Sequence, residues 1–278
     1  MSNESSEKAL AKARIETNLP ELVEMLLAER GQSASPSWRV GTADIPADSR
    51  EQWDLFRALV NTRSPEPAAE ELLRLQDDVL QDILAYRGTT TWNDIPNLPG
   101  CSHVKLWRGD ITTLATDAIV NAANSQMLGC FVPGHHCIDN AIHTFAGIQL
   151  RLECARLMEA QGYPEPTGMA KVTSAFNLPS KHVIHTVGPI AEGFASETDQ
   201  ALLTNCYTAC LEAAADVGCK SVAFCCISTG VFGFPQTIAA RIAIHTVDTW
   251  LAHTESPLNV VFNVFSEKDE QLYKSLLH

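Results

Sequence analysis

Residues 117–147 read DAIVNAANSQMLGCFVPGHHCIDNAIHTFAG, and the stretch changes character twice. It opens on a short β-rich run, DAIVNAA, crosses a loop holding glycine and proline, and closes on CIDNAIHTFAG with helical spacing. Strand, loop and helix in this order form the unit from which layered α/β domains are assembled. Its middle section, GCFVPGHHCIDNAIH (129–143), concentrates two cysteines, three histidines and one aspartate. Glycine and proline exclude regular structure there, so a loop carries the soft donors and an acid follows at once.

The same alternation continues outward. From Cys101 on, HVKLWRG, DAIVNAA, MAKVTSAF, HVIHTV, SVAFCCIS and LNVVFNVF read as strands, with helices expected near 139–160, 197–217, 235–252 and 267–277. This predicts an α/β domain in three layers, α/β/α, with a mixed central sheet buried on both faces. In such sheets ligands collect at the carboxyl ends of the strands. Upstream, residues 5–30, 51–61 and 68–86 read as helices. Leu72, Leu73, Leu75, Val79, Leu80, Ile83 and Leu84 recur at helical spacing in the last of them. TTTWNDIPNLPG (89–100) reads as a linker, so the chain divides into a helical N-terminal extension, 1–98, and a sheet domain, 99–278.

Composition narrows the function. The 278 residues are 45% apolar, as in an ordinary globule, and nine cysteines without an export signal point to reduced thiols. Neither a signal-like apolar segment nor an apolar run of membrane length occurs, so a cytoplasmic protein is expected. A net charge of −13 argues against general affinity for nucleic acid or acidic membrane. Residues 1–100 hold 17 Asp/Glu against 10 Lys/Arg and the remainder 16 against 10, so any anionic ligand must be held locally.

Cys130, His135 and Cys137 form C-x4-H-x-C, a thiolate and imidazole set suited to Zn²⁺, with Pro133 and Gly134 folding the chain back between donors. Three donors leave one coordination position open, as catalytic sites do. In an extended segment His135 shares a face with Cys137 while His136 points away, which favours His135. The alternative is a loop whose thiols merely pack inward.

Four segments in order, GDIT (109–112), VNAANSQMLG (120–129), CIDNAIHTFAG (137–147) and ISTGVFGFP (227–235), together resemble the macrodomain family, which binds ADP-ribose. The resemblance spans essentially residues 101–278. Where ordinary hydrolytic macrodomains carry a run of glycines, this chain has CFVPGHHC, which is similar to the zinc-dependent branch of protein-ADP-ribose hydrolases often associated with sirtuin-type ADP-ribosyltransferases. NTRSPEP and LLRLQDDVLQ in the leader resemble that branch too.

The resemblance implies roles by position. Asp110 would accept a hydrogen bond from the adenine amino group beside the Ile111 backbone, or else serve as a turn residue. Phe265 would pack on adenine, or else lie in the core. Ser228, Thr229, Gly230, Val231 and Phe232 would cradle the diphosphate with backbone N–H groups, as an acidic protein requires; alone, the motif is an ordinary strand-to-helix turn. Cys137, Ile138 and Asp139 complete the ligand contacts. Asn124 would orient the distal ribose, and Asp139 would activate or orient water, although an aspartate there could equally be an N-cap.

Breaking the bond at C1″ of that ribose resembles glycoside hydrolysis, which usually engages two carboxylates. Asp139 is the one well-placed acid, and one zinc ion beside it would replace the second by polarising a hydroxyl or water. The expected activity is release of ADP-ribose from Asp or Glu side chains of a modified protein. A non-catalytic reader of ADP-ribosylated partners and an O-acyl-ADP-ribose deacylase are the alternatives. Cys225 and Cys226 are expected on a strand facing opposite sides and His143 and His185 in the core, while Cys206 and Cys210, one helical turn apart, suit metal binding and a buried helix face equally and are assigned no role.

Overall fold

The computed structural model describes residues 3–33, 45–254 and 258–277. The leader forms α1 (Asn3–Ser33), α2 (Ser49–Thr62) and α3 (Glu70–Arg87). Asp48 caps α2, accepting from Arg50 and Glu51 N–H at 2.9 and 3.1 Å. After β1 (Thr90–Thr91) come β2 (Val104–Arg108), β3 (Leu114–Ala115), β4 (Ala118–Ala123), α4 (Ile138–Ala146), α5 (Ile148–Gln161), β5 (Ala170–Ser174) and β6 (His182–Val187). The chain then runs through α6 (Glu197–Asp216), β7 (Ser221–Phe224), α7 (Gln236–His253), β8 (Asn259–Val264) and α8 (Glu267–Leu276).

Six strands form one mixed sheet in the order β2-β8-β7-β4-β6-β5, every neighbouring pair parallel except the antiparallel β5–β6 edge. The central strands are buried almost throughout because helices cover both faces, which is why they read as apolar runs without alternation. This is the expected three-layer α/β/α architecture. Among the described residues no helix is long and apolar enough to cross a membrane.

Three expectations need correction. The helix anticipated over 139–160 is two helices broken at Gly147, whose φ is +99°. A Cβ there would come within 2.6 Å of the Gln76 amide of α3, so the leader's approach requires the glycine. The stretch set down as a linker is structured. Thr90–Thr91 pairs in parallel with Leu114–Ala115, and Lys105 Nζ donates to the Trp92 and Ile95 carbonyls, both at 2.8 Å. Finally, β7 stops at Phe224, so Cys225 and Cys226 are loop residues.

The leader has its own apolar core, built on Leu22, Val23, Phe56, Leu72, Val79 and Leu80, but Ile148 of α5 completes it and Phe145 of α4 packs against it. The leader is thereby fixed to the helices that border the site.

Candidate active site

A cleft of about 1000 Å³ opens beyond the carboxyl ends of β4, β7 and β8, where an open α/β sheet gathers its loops and helix N-termini. Every residue assigned a ligand, metal or catalytic role from the sequence lines it: Asp110 and Ile111 at one end, Asn124, Cys130, His135 and residues 137–139 at the other, Ser228–Phe232 across from it, and Phe265 on the rim.

Cys130, His135 and Cys137 converge, their ligand atoms lying within 4.8 Å of one another. The Cys130 Sγ to His135 Nδ1 distance is 3.4 Å. Donors around a tetrahedral zinc, with Zn–S about 2.3 Å and Zn–N about 2.0 Å, stand about 3.6 Å apart, so the set fits such an ion. Burial, reinforced by the adjacent Cys130 sulfur, pushes the Cys137 thiol up to about 12, and a bound cation would reverse that penalty. His136 lies outside the cluster. A second trio, His143, Cys154 and His185, is equally close but fully buried, and His185 already engages Asn121 and Thr173 through its two ring nitrogens.

The loop approaches its surroundings too closely for side chains at every position. At Gly129 (φ +78°) a Cβ would meet the His143 ring at 2.8 Å. From the other side α2 pins the loop. Asn61 Oδ1 accepts from Gly134 N–H at 3.1 Å, and Arg57 Nη2 donates to the His135 carbonyl at 3.2 Å and to Asn140 Oδ1 at 3.0 Å.

Asp139 is the second residue of α4, and Cys137 is the N-cap, its sulfur facing Asn140 N–H at 3.4 Å. The N-cap alternative for Asp139 therefore falls. The residue is 5% exposed. Asn121 Nδ2 donates to Oδ1 at 2.8 Å and Asn124 Nδ2 lies 3.4 Å from Oδ2. Burial pushes the carboxyl up to about 6, against the Asn121 hydrogen bond and the Arg151 charge, so it is still ionised at neutral pH and suited to accept a proton.

Asn121 is held in turn. Its Nδ2 faces His185 Nδ1 at 3.1 Å, and His185 Nε2 faces Thr173 Oγ1 at 2.9 Å. Burial keeps His185 neutral, down to about 3, and a single proton on Nε2 satisfies both contacts. That leaves the Asn121 amide N–H groups aimed at His185 and Asp139. His143 is also neutral because burial lowers it, and its Nε2 stands 3.6 Å from Asp139 Oδ1, too far for a hydrogen bond.

Opposite, Ser228 sits at φ +65°, a conformation that costs a non-glycine residue about 1–2 kcal/mol. Its Oγ is buried without a hydrogen-bond partner. The turn spends Thr229 N–H on the Cys226 carbonyl and Gly233 N–H on the Gly230 carbonyl. Among the described residues nothing accepts from Gly230, Val231 or Phe232 N–H, and strain held in place beside unpaired amides is an arrangement able to hold an anion. Ile138 and Asp139, in the first turn of α4, line the same cleft.

At the far end Asp110 takes the turn role that its sequence context allowed. Oδ1 closes a turn by accepting from Thr112 N–H at 2.9 Å, while Oδ2 pairs with Arg87 at the end of α3. Phe265 lies past the end of β8 and is 80% exposed, which removes the core alternative. Cys225 and Cys226 line the cleft instead of facing opposite sides of the sheet.

Sequence reading missed Asn121 and the contribution of α2. Trp53, Arg57 and Asn61 are spaced at i, i+4 and i+8 and share one face. Trp53 stacks on Phe145 at 5.5 Å, and Trp53 and Arg57 line the cleft. That spacing is the one signal in the sequence, and a solvated helix face gives it equally.

Comparison with family models matches residues 120–243 to the Macro domain. A protein-ADP-ribose hydrolase of Treponema medium is 53% identical over 258 residues, covering 92% of this chain and 96% of the relative. A Fusarium oxysporum f. sp. cubense protein, named a probable bifunctional ADP-ribose hydrolase/ADP-ribosyltransferase, is 42% identical over 241 residues, covering 80% of this chain and 40% of the relative. Among solved structures, a Trypanosoma brucei macrodomain in complex with ADP-ribose has a TM-score of 0.61 at 30% identity, covering 80% of this chain and 95% of that one.

Proposed function

This chain belongs to the macrodomain protein-ADP-ribose hydrolases, and from that premise we propose that it is a zinc-dependent member, releasing ADP-ribose from Asp or Glu side chains of modified proteins. The observation that carries the reading is the convergence of Cys130, His135 and Cys137 on a loop that ends two residues before a buried, hydrogen-bonded Asp139.

The unpaired amides of Gly230, Val231 and Phe232, with the start of α4, hold the diphosphate. Asp110 and Ile111 take the adenine, and Phe265 covers it. This directs the distal ribose to Asn124 and Asp139. Asn124, tied to the Gly129 carbonyl at 3.1 Å, orients the sugar. Asp139, aimed by Asn121, orients a water toward C1″ and takes its proton. Cys130, His135 and Cys137 would hold a divalent ion, which would supply Lewis-acid polarisation in place of the second carboxylate that glycoside hydrolysis usually employs. An acyl linkage suits this site because a carboxylate leaves more readily than an amide or guanidine nitrogen. A functional partnership with a sirtuin-type ADP-ribosyltransferase belongs to the same proposal, supported by the leader's resemblance and by the hydrolase/ADP-ribosyltransferase name of the Fusarium relative.

The test is release of ADP-ribose from a carboxylate-linked automodified protein by wild type and by Asp139→Ala. The variant should lose on the order of 100-fold or more in kcat, as removal of a positioned base does, while still binding ADP-ribose. Full activity in Asp139→Ala would overturn the assignment.

A further inference from the structure

The cleft receives a ligand with two phosphates, yet its wall carries Asp110, Asp139 and Asp269 and, among the described residues lining it, one arginine or lysine only, Arg57. That cation comes from α2, outside the sheet domain. Its Nη2 donates to the His135 carbonyl and to Asn140 Oδ1, acceptors on either side of Cys137, and these are the only hydrogen bonds of its guanidinium among the described residues. Nε and Nη1 keep their donors. We propose that Arg57 forms the acceptor-side subsite: its guanidinium binds the carboxyl group through which ADP-ribose is attached to the modified protein. The inference rests on the hydrolase reading above and names what that reading leaves open, the group that recognises the protein half of the substrate.

Position decides between the two anions Arg57 could hold. The unpaired amides suited to the diphosphate lie on the Ser228–Phe232 turn, whereas Arg57 is fastened to the backbone of the donor loop, at the end where the distal ribose is cut. Chemistry points the same way. As the C1″–O bond breaks, its electron pair stays on the acyl oxygen, water oxygen bonds C1″, and the water proton passes to Asp139. The ester is neutral before cleavage and a carboxylate after it. A guanidinium N–H beside that oxygen therefore gains more in the transition state than in the ground state. An acceptor linked through its own guanidinium would instead meet a like charge and be rejected.

The experiment uses the metal-loaded full chain as wild type, Arg57→Lys and Arg57→Gln. It measures kcat and KM on carboxylate-linked and arginine-linked ADP-ribosylated protein, Kd for free ADP-ribose, and bound metal on the same samples. Arg57→Gln should lower kcat/KM on the carboxylate-linked protein on the order of 100-fold. Arg57→Lys should fall between, with ADP-ribose affinity within about twofold of wild type and metal content retained. An equal loss of ADP-ribose affinity would assign Arg57 to the diphosphate and overturn the inference. So would loss of metal alongside activity, unchanged kcat/KM, or equal turnover of the arginine-linked protein by wild type. A wild type inactive on the carboxylate-linked protein would refute the hydrolase reading itself, a separate result.

Discussion

Replacing Asn61 with alanine removes a side chain that is 1% exposed and joins α2 to the donor loop. Its three partners lose different things. Gly134 is partly exposed, so water can take its N–H at little cost. Asn140 is fully buried, and its Nδ2 keeps only the bond to the Val132 carbonyl at 3.2 Å, so one N–H is stranded at about 1–3 kcal/mol. Thr144 keeps its bond to the Asn140 carbonyl at 2.7 Å and loses one donor. With about 1 kcal/mol for the vacated volume, the variant should be destabilised by roughly 2–4 kcal/mol. For a chain of this size that is roughly 5–12 °C in Tm. Because Gly134 immediately precedes His135, zinc affinity should also fall about 10- to 100-fold, as it does when a supporting hydrogen bond behind a ligand is removed. Denaturant unfolding of the metal-free protein and a competitive chelator titration read the two effects separately. Asn61→Asp keeps the acceptor for Gly134 and Asn140 and should retain most of the metal affinity. If Asn61→Ala lost stability yet bound zinc as tightly as wild type, the loop would be shaping itself and the role given to α2 would be wrong.

His185 should make stability acid-sensitive. Burial holds it at about 3, so below its unfolded value of about 6.5 the unfolded chain binds the proton and the folded chain does not. Stability is then lost from about pH 6.5 downward, roughly 2 kcal/mol between pH 7.5 and 5. Asp139, raised to about 6, acts in the opposite sense over this range, so the comparison that isolates His185 is the pH slope of wild type against His185→Gln, and equal slopes would contradict the assignment. Phe265→Ala should weaken ADP-ribose binding roughly 3- to 10-fold by calorimetry, as loss of a stacked ring does. Its Tm should hold, since the ring is 80% exposed; unchanged affinity would remove it from the adenine site. Gly129→Ala should cost both metal affinity and turnover, because its Cβ would lie 2.8 Å from the His143 ring.

What could be read from the sequence was local. The strands were legible because sheet segments buried on both faces appear as unbroken β-rich runs, and the Cys130, His135 and Cys137 donors because they lie within eight residues of one another. The part played by α2 was not, since its contacts to the loop and to α4 bridge 73–83 residues of sequence and its polar residues read equally well as a solvated face. Asn121 sits in a run of valine and alanine with no mark distinguishing a carboxylate partner from a strand filler; the buried His185 and Thr173 behind it set its direction. The run SVAFCCIS looked like continuous strand by residue preference, yet the chain must leave the sheet after Phe224 to reach the left-handed turn at Ser228. Gly147 was hidden for a similar reason, because the group that demands it is Gln76 on another element.

The claim on which the account depends is that a zinc ion sits at the sugar being cut. Crystals grown with zinc and ADP-ribose, measured on both sides of the zinc absorption edge, test it directly. The account predicts one anomalous peak about 2.0–2.3 Å from Cys130 Sγ, His135 Nδ1 and Cys137 Sγ, with the distal ribose on its open side next to Asp139. A pocket filled by ADP-ribose with no peak at those three atoms, or a peak remote from the ribose, would contradict it.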